Sequence, residues 1–208
     1  MNKVFVIGPS KGYANWLPDC KLVNNPDEAD ILLFTGGEDV NPAIYGEPVG
    51  KRTYFNEQRD KIEADYFNKY PNKLKLGICR GSQLLCALSG GRLVQDQNNP
   101  DFIHDIITSE GTVIPISSTH HQAQYPYDMD KRSYKLLAWT EGICHHHHDG
   151  NNKEISDKPF KEAEIVFYPH TKSLAIQGHP EMMWRTDKYP ETFEYLNNIF
   201  NKFVNQSL

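Results

Sequence analysis

The chain has little cysteine, little tryptophan and no long apolar run. Its 208 residues include 4 cysteines and 3 tryptophans. Cys20, Cys79, Cys86 and Cys144 form no Cys-x-x-Cys pair and no spacing that suggests a disulfide framework. That points to a reducing, cytoplasmic setting. No stretch approaches the roughly 20 apolar residues that span a bilayer, so no membrane role is expected. The opening stretch Met1 to Gly8 has too short an apolar core for a signal peptide and reads as a first strand. Positive charge is not in excess either. Against 27 Asp and Glu there are 22 Lys and Arg, giving a net charge of -5. That argues against a nucleic acid or an anionic membrane as partner. No internal repeat or linker divides the sequence, so residues 1–208 read as one domain.

What the chain does have is strand and helix in alternation. Residues 3–8, 21–23, 30–34 and 73–78 read as strands, and 57–70 as a helix. In that helix Ile62, Ala64, Tyr66, Phe67 and Tyr70 are the expected inward positions, and Pro71-Asn72 ends it. Another helix runs from Cys79 to Leu88. The second half is richer in strands, with candidates at 112–116, 134–139, 163–168 and 173–177, and a polar insertion at 144–160. A closing helix near 190–204 spaces Phe193, Leu196, Ile199, Phe200 and Phe203 for one buried face. The pattern predicts an α/β fold: a doubly wound, mostly parallel sheet flanked by helices, with extra strands in the second half. Chemistry in such sheets gathers at the carboxyl ends of the strands.

One segment carries the chemistry. Leu74-Lys75-Leu76 leads into Gly77-Ile78-Cys79-Arg80-Gly81-Ser82-Gln83, the thiol version of a Gly-x-Ser-x-Gly nucleophile elbow. Such a turn strains its central residue, and its glycines let strand and helix pass closely. A cysteine at a helix start is favoured as thiolate by the dipole and free N–H groups. Acyl transfer also needs a base, an orienting group and an oxyanion hole. His179 follows the last predicted strand, and Glu181, beyond a stiffening proline, is placed to orient its imidazole. Gly36-Gly37, after the apolar strand 30–34, can aim bare N–H groups inward. The Gly37 N–H and the N–H of Arg80 would then converge on an oxyanion. One such donor supplies about 3 kcal/mol of transition-state stabilisation. Singly, each signal has an ordinary alternative: a turn, a surface loop, a helix start. Their joint order favours one shared site.

These residues resemble class I (triad-type) glutamine amidotransferase domains, most of all the free-standing γ-glutamyl hydrolase branch that acts on γ-glutamyl-γ-aminobutyrate and related amides. The resemblance runs through Leu33 to Pro42 with Tyr45-Gly46-Glu47, Arg59-Asp60-Lys61-Ile62-Glu63, the elbow, Gly90 to Asp96, Ser118-Thr119-His120-His121-Gln122-Ala123 and Gln177 to Glu181. It implies a flavodoxin-like sheet. It implies Cys79 as nucleophile, His179 as base and Glu181 as orienter, with Gly37 and Arg80 giving the oxyanion amides. It further implies that Gln83 holds the α-amino acid end of a glutamine-like substrate and that Gly36, Ser118, His120, His121 and Gln122 border the same pocket. Three departures stand out. The stretch before Gly36 is short, Gly178 stands where tryptophan is common, and the insertion with His145 to His148 has no counterpart.

Neighbouring side chains in an extended loop point to opposite sides, so Cys144 and His145 to His148 do not make a zinc site, and no metal is expected. Nor does the chemistry need an organic cofactor. Cys86 reads as a small core hydrophobe. Arg59 and Asp60 read as an ion pair at a helix start, and Trp139 and Trp184 as pocket rim or core. Three functions follow in order: a hydrolase of a small-molecule γ-glutamyl amide, a glutaminase subunit feeding ammonia to a synthetase partner, and a catalytically silent binding protein.

Overall fold

A computed structural model describes residues 1–98, 100–155, 161–185, 188–206 and 208. The strands are β1 (Asn2–Ile7), β2 (Cys20–Leu22), β3 (Ile31–Phe34), β4 (Leu74–Ile78), β5 (Arg92–Val94), β6 (Asp96–Gln97), β7 (Ile103–Thr108), β8 (Val113–Ser117), β9 (Ala123–Tyr125), β10 (Lys135–Glu141), β11 (His147–His148), β12 (Lys161–Tyr168) and β13 (Ser173–Ile176). The helices are α1 (Glu57–Lys69), α2 (Arg80–Leu88), α3 (Pro180–Met183) and α4 (Pro190–Val204). Nine strands form one sheet in the order β2-β1-β3-β4-β13-β12-β10-β7-β8. Pairings from β2 through β13 are parallel, and those from β13 through β8 are antiparallel. The sheet is therefore mixed. Its parallel half is the doubly wound unit, and the strand-rich second half of the chain extends it.

The sequence of β3, Ile-Leu-Leu-Phe, explains its central place. All four side chains are buried. Ile31 and Leu33 face one core, where α4 packs Leu196, Ile199, Phe200 and Phe203. Leu32 and Phe34 face the other, with Phe67 of α1 and Leu84 and Leu85 of α2. A strand apolar on both faces needs helices on both sides of the sheet. Each buried side chain of this size contributes roughly 1.5–3 kcal/mol.

Two expectations change. In α1 the apolar spacing sets only part of the inward face: Phe67 and Tyr70 are buried and Tyr66 packs against them as expected. Ile62 is 48% exposed, whereas Asp60, Glu63 and Phe67 are buried. The reason is Arg80, which is fully buried and donates to Glu63 through Nη1 and to Asp60 through Nη2. An unpaired buried guanidinium would cost several kcal/mol, so charge pairing overrides the apolar period. The second change is β7, which the sequence does not announce. It buries His104, Ile106 and Thr108 and exposes Ile103 and Asp105. With polar residues on the buried side, the alternation that marks a strand is erased.

The histidine-bearing insertion also gains structure. β11 pairs antiparallel with β6, placing His147 opposite Gln97. Residues 156–160 of that stretch lie outside the described residues. Among the described residues no helix is long and apolar enough to cross a membrane.

Candidate active site

β3, β4 and β13 are adjacent and parallel, with Phe34 opposite Gly77 and Ile78 opposite Ile176. They end at nearly one level. Gly36-Gly37, Cys79 and His179, far apart along the chain, follow these ends.

Cys79 has φ 51° and ψ -111°, a region rare for a residue with a Cβ. Its N–H donates to the Ile176 carbonyl at 2.8 Å, and its own carbonyl accepts from the amides of Ser82 (2.9 Å) and Gln83 (3.1 Å). The Ser82 hydroxyl donates to that carbonyl as well, at 2.6 Å. The turn is thus tied to β13 before it and to α2 after it. Close passage requires both flanking glycines. A Cβ on Gly77 would lie 2.5 Å from the Gly81 carbonyl oxygen, and one on Gly81 would lie 2.1 Å from that of Phe34.

His179 is clamped to β8. Its N–H donates to the Ser117 carbonyl at 2.9 Å, and the Ser117 hydroxyl donates to the His179 carbonyl at 2.6 Å. β8 approaches so closely that a Cβ on Gly178 would lie 2.5 Å from Ile116 Cγ1. That contact explains why glycine, not tryptophan, stands there. Pro180 then opens α3 and brings Glu181 Oε1 to 2.6 Å from His179 Nδ1. Thr119 Oγ1 lies 2.9 Å from the other ring nitrogen, Nε2. Burial alone would lower the imidazole pKa, but hydrogen bonds and charge interactions with Cys79 and Glu181 outweigh it and raise it to about 10. Tyr13, its ring centroid 6.2 Å from that of His179, covers the imidazole. Burial, and then the charges of Glu181 and Cys79, push its phenol up to about 12.

Cys79 and His179 line one cavity of about 260 Å³ together with Tyr13, Gly37, Asp39, Gln83, Thr119, His120, His121, Gln122 and Met182. The structure thus gathers Gly37, Cys79, Gln83, His120, His121, Gln122 and His179, all singled out in the sequence. Glu181 stands behind His179. Gly36 lies under Tyr13, where a Cβ would be 2.6 Å from the phenol oxygen. Arg80 follows Cys79, so its N–H is in the first turn of α2, while its side chain is buried against α1. Ser118 is not part of the cavity lining; it is buried, and its N–H donates to the Phe102 carbonyl at 2.7 Å.

The buried amides brace the cavity wall. Gln83 Nε2 donates to the Gln122 carbonyl at 2.8 Å, and Gln122 Nε2 donates to the Gln95 carbonyl at 3.0 Å and to the Thr53 hydroxyl at 3.1 Å. The insertion supports the same wall, since the His148 carbonyl accepts from the Gln95 amide at 2.9 Å. Burial pushes the His120 pKa down to about 4, which keeps that ring neutral at ordinary pH. His121 shifts the opposite way: the hydrogen bond to Asp39, at 3.1 Å, raises its pKa against the effect of burial. Arg59 and Asp60 do not pair with each other. Arg59 contacts Glu38 and Glu63, and Asp60 contacts Arg80.

Tyr13, Asp39 and Met182 are lining residues that sequence reasoning does not assign, and Thr119 lies inside the Ser118-to-Gln122 segment expected at the pocket, without a role of its own. Thr119 occupies the unspecified position of the Ser-x-His-His-Gln block, so its type carries no signal. Tyr13 sits in a short 3-10 turn, Lys11–Ala14, with no periodicity to expose it.

The profile of the family described as Peptidase C26 matches residues 20–153, more than half of the chain. The chain belongs to the Peptidase C26 family. The matched span holds Cys79 and stops before His179, which the fold brings to it. This Peptidase C26 member is 29% identical over 203 residues to the glutamine amidotransferase-like protein YvdE of Lactococcus lactis, covering 86% of this chain and 75% of that one. It is 33% identical over 168 residues to protein NtpR of Enterococcus hirae, covering 75% of this chain and 68% of that one. A solved structure from Thermoplasma acidophilum, described as a GMP synthase subunit, matches with TM-score 0.61 at 18% identity, over 99% of this chain and 93% of the other. The fold is that of the class I glutamine amidotransferases, and the chain is an enzyme of that superfamily.

Proposed function

We propose that this Peptidase C26 member hydrolyses the γ-glutamyl amide bond of glutamine or of a γ-glutamyl amine, with Cys79 as nucleophile, His179 as acid and base, and Glu181 as orienter. The observation that carries this is the shared cavity of Cys79, His179 and Gly37, with Glu181 on the far nitrogen of the imidazole. The Cys79 thiolate adds to the side-chain carbonyl carbon, and the N–H groups of Gly37 and Arg80 receive the oxyanion. His179 Nε2 gives its proton to the amine nitrogen, the C–N bond breaks, and a glutamyl thioester remains. Water then loses a proton to His179 as it attacks the thioester carbon. Collapse of that intermediate releases glutamate and restores the thiolate. The 4 free thiols support a reducing, cytoplasmic setting.

The test is a screen of the purified chain against glutamine and a panel of γ-glutamyl amides, with released glutamate measured. A glutamine-like diazoketone should label Cys79. Failure to label it favours a silent binding protein.

A second reading keeps the chemistry and adds a partner. The Thermoplasma protein of the same fold is described as belonging to a synthase. Low glutaminase activity that rises strongly with a copurifying synthetase supports that reading, and robust turnover by the isolated chain opposes it.

Two further results are expected. Glu181→Gln removes one of the two groups that hold His179 protonated. Hydrolysis needs that proton for the leaving amine, so activity falls as pH rises past the imidazole pKa. The basic limb of the kcat profile therefore moves to lower pH in the variant, and kcat drops by roughly 10²-fold or more. Thr119→Val deletes the hydroxyl that meets Nε2. A hydrogen bond to a charged group is worth about 1.5–3 kcal/mol, so kcat should fall about 10- to 100-fold. Steady-state kinetics on the best amide of the panel checks both.

A further inference from the structure

Behind the cavity, α1 carries a run of charge contacts that the proposed mechanism does not use. At one end, Arg80 forks onto Asp60 and Glu63. Glu63 Oε1 in turn takes Arg59 Nε at 2.7 Å. The other end of the Arg59 guanidinium reaches the loop after β3. Nη2 donates to the Gly36 carbonyl at 3.0 Å, and to the Thr35 carbonyl and hydroxyl at 3.3 and 3.2 Å. Nη1 donates to Glu38 Oε2 at 2.7 Å. Asp60 Oδ2 accepts from the Asn41 amide further along the loop, at 3.1 Å. One helical turn therefore grips the loop that bears Gly37 and the residue that follows Cys79.

Gly37 itself has φ 151°, a conformation open to glycine, and glycine supplies no side chain to hold it there. The guanidinium lies directly against it: a Cβ on Gly37 would be 2.1 Å from Arg59 Nη1. We propose that Arg59 is a positioning residue for the oxyanion hole, which through Glu63 fixes the Gly37 amide relative to the Arg80 amide. This rests on the amide-hydrolase reading above. The side-chain hydrogen bonds of Arg59 run to Thr35, Gly36, Glu38 and Glu63, and none of these residues lines the cavity. Its effect is exerted on the carbonyl oxygen through two backbone donors. Arginine suits the task because its planar fork serves carboxylate and carbonyl partners at once, which a lysine ammonium does not.

The experiment compares three readouts in Arg59→Gln, Arg59→Lys and wild type. The first is hydrolysis of the best γ-glutamyl amide. The second is affinity for the aldehyde analogue of glutamine, which adds to Cys79 and places its oxygen in the oxyanion hole. The third is alkylation of Cys79 by iodoacetamide, a displacement at a saturated carbon that forms no oxyanion. Arg59→Gln should lower kcat by about 10²- to 10³-fold and aldehyde affinity by a similar factor. KM and the alkylation rate should stay within about threefold, since neither draws on the oxyanion donors. Arg59→Lys should show the same pattern at smaller size, and it is read alone if the glutamine variant does not fold. Hydrolysis at the wild-type rate in the lysine and glutamine variants overturns the inference. So does a loss of alkylation in step with kcat, which would put the effect on the thiolate. A wild type that releases glutamate from no amide while still alkylated at Cys79 overturns the proposed function itself.

Discussion

Cys79→Ala should abolish γ-glutamyl amide hydrolysis, lowering kcat by about 10⁴- to 10⁶-fold, while leaving the fold intact. The substitution deletes only the sulfur. Alanine keeps the Cβ that the turn already accommodates at φ 51°, and the backbone bonds from Cys79 to Ile176, Ser82 and Gln83 are untouched. No thioester can form without Sγ, and a water in its place would have to attack the amide directly. The loss also alters His179, because contact with Cys79 helps hold its proton. In the variant that ring should titrate at lower pH than in wild type, which a histidine proton resonance would follow. Glutamate release and thermal melting separate the two consequences. Hydrolysis persisting on every amide that the wild type cleaves would falsify the nucleophile assignment.

Gly81→Val is expected to cost roughly 3 kcal/mol or more of stability and to remove activity along with it. The added Cβ would sit 2.1 Å from the Phe34 carbonyl oxygen, 2.6 Å from its carbonyl carbon and 3.0 Å from its Cβ. Two of these atoms are backbone of a central strand, so no rotamer change relieves the clash. Either α2 lifts from β3 or β3 moves, and Phe34 leads within two residues into Gly36-Gly37. The elbow and the Gly36-Gly37 loop are therefore disturbed by one small intrusion. Gly46→Ala is the control. Gly46 has φ 73°, and an added methyl there would meet nothing within 4 Å, so its cost is the backbone conformation alone, about 1 kcal/mol. Urea denaturation of both variants reads the difference. Equal, small losses would mean that close passage of strand and helix does not govern the elbow.

Much of the site was readable before any coordinate. A buried strand, a Gly-x-Cys-x-Gly turn and an apolar helix leave little choice about where Cys79 goes, because local sterics dictate that turn. The same holds for Gly36-Gly37 after β3 and for the proline that links His179 to Glu181. These are short-range facts, and short-range sequence carries them. α1 shows where such reading stops. Its apolar residues pointed to Ile62 as buried, but a guanidinium from the next helix drew Asp60 and Glu63 inward. β7 went unseen because its buried side is partly polar. Thr119 and Tyr13 reached the imidazole with no pattern to announce them.

The amino-acid order by itself determined the elbow, the Gly36-Gly37 turn after β3, the identity of the candidate base and the doubly wound half of the sheet. Backbone conformation and apolar burial along a few neighbouring residues suffice for those. Only the tertiary structure decided the approach of Thr119 and Tyr13 to His179, the choice of charged face on α1 and the placing of the histidine-bearing insertion beside β6. Each of these depends on the desolvation of a polar group by a partner distant in the chain, and no local pattern encodes the position of that partner.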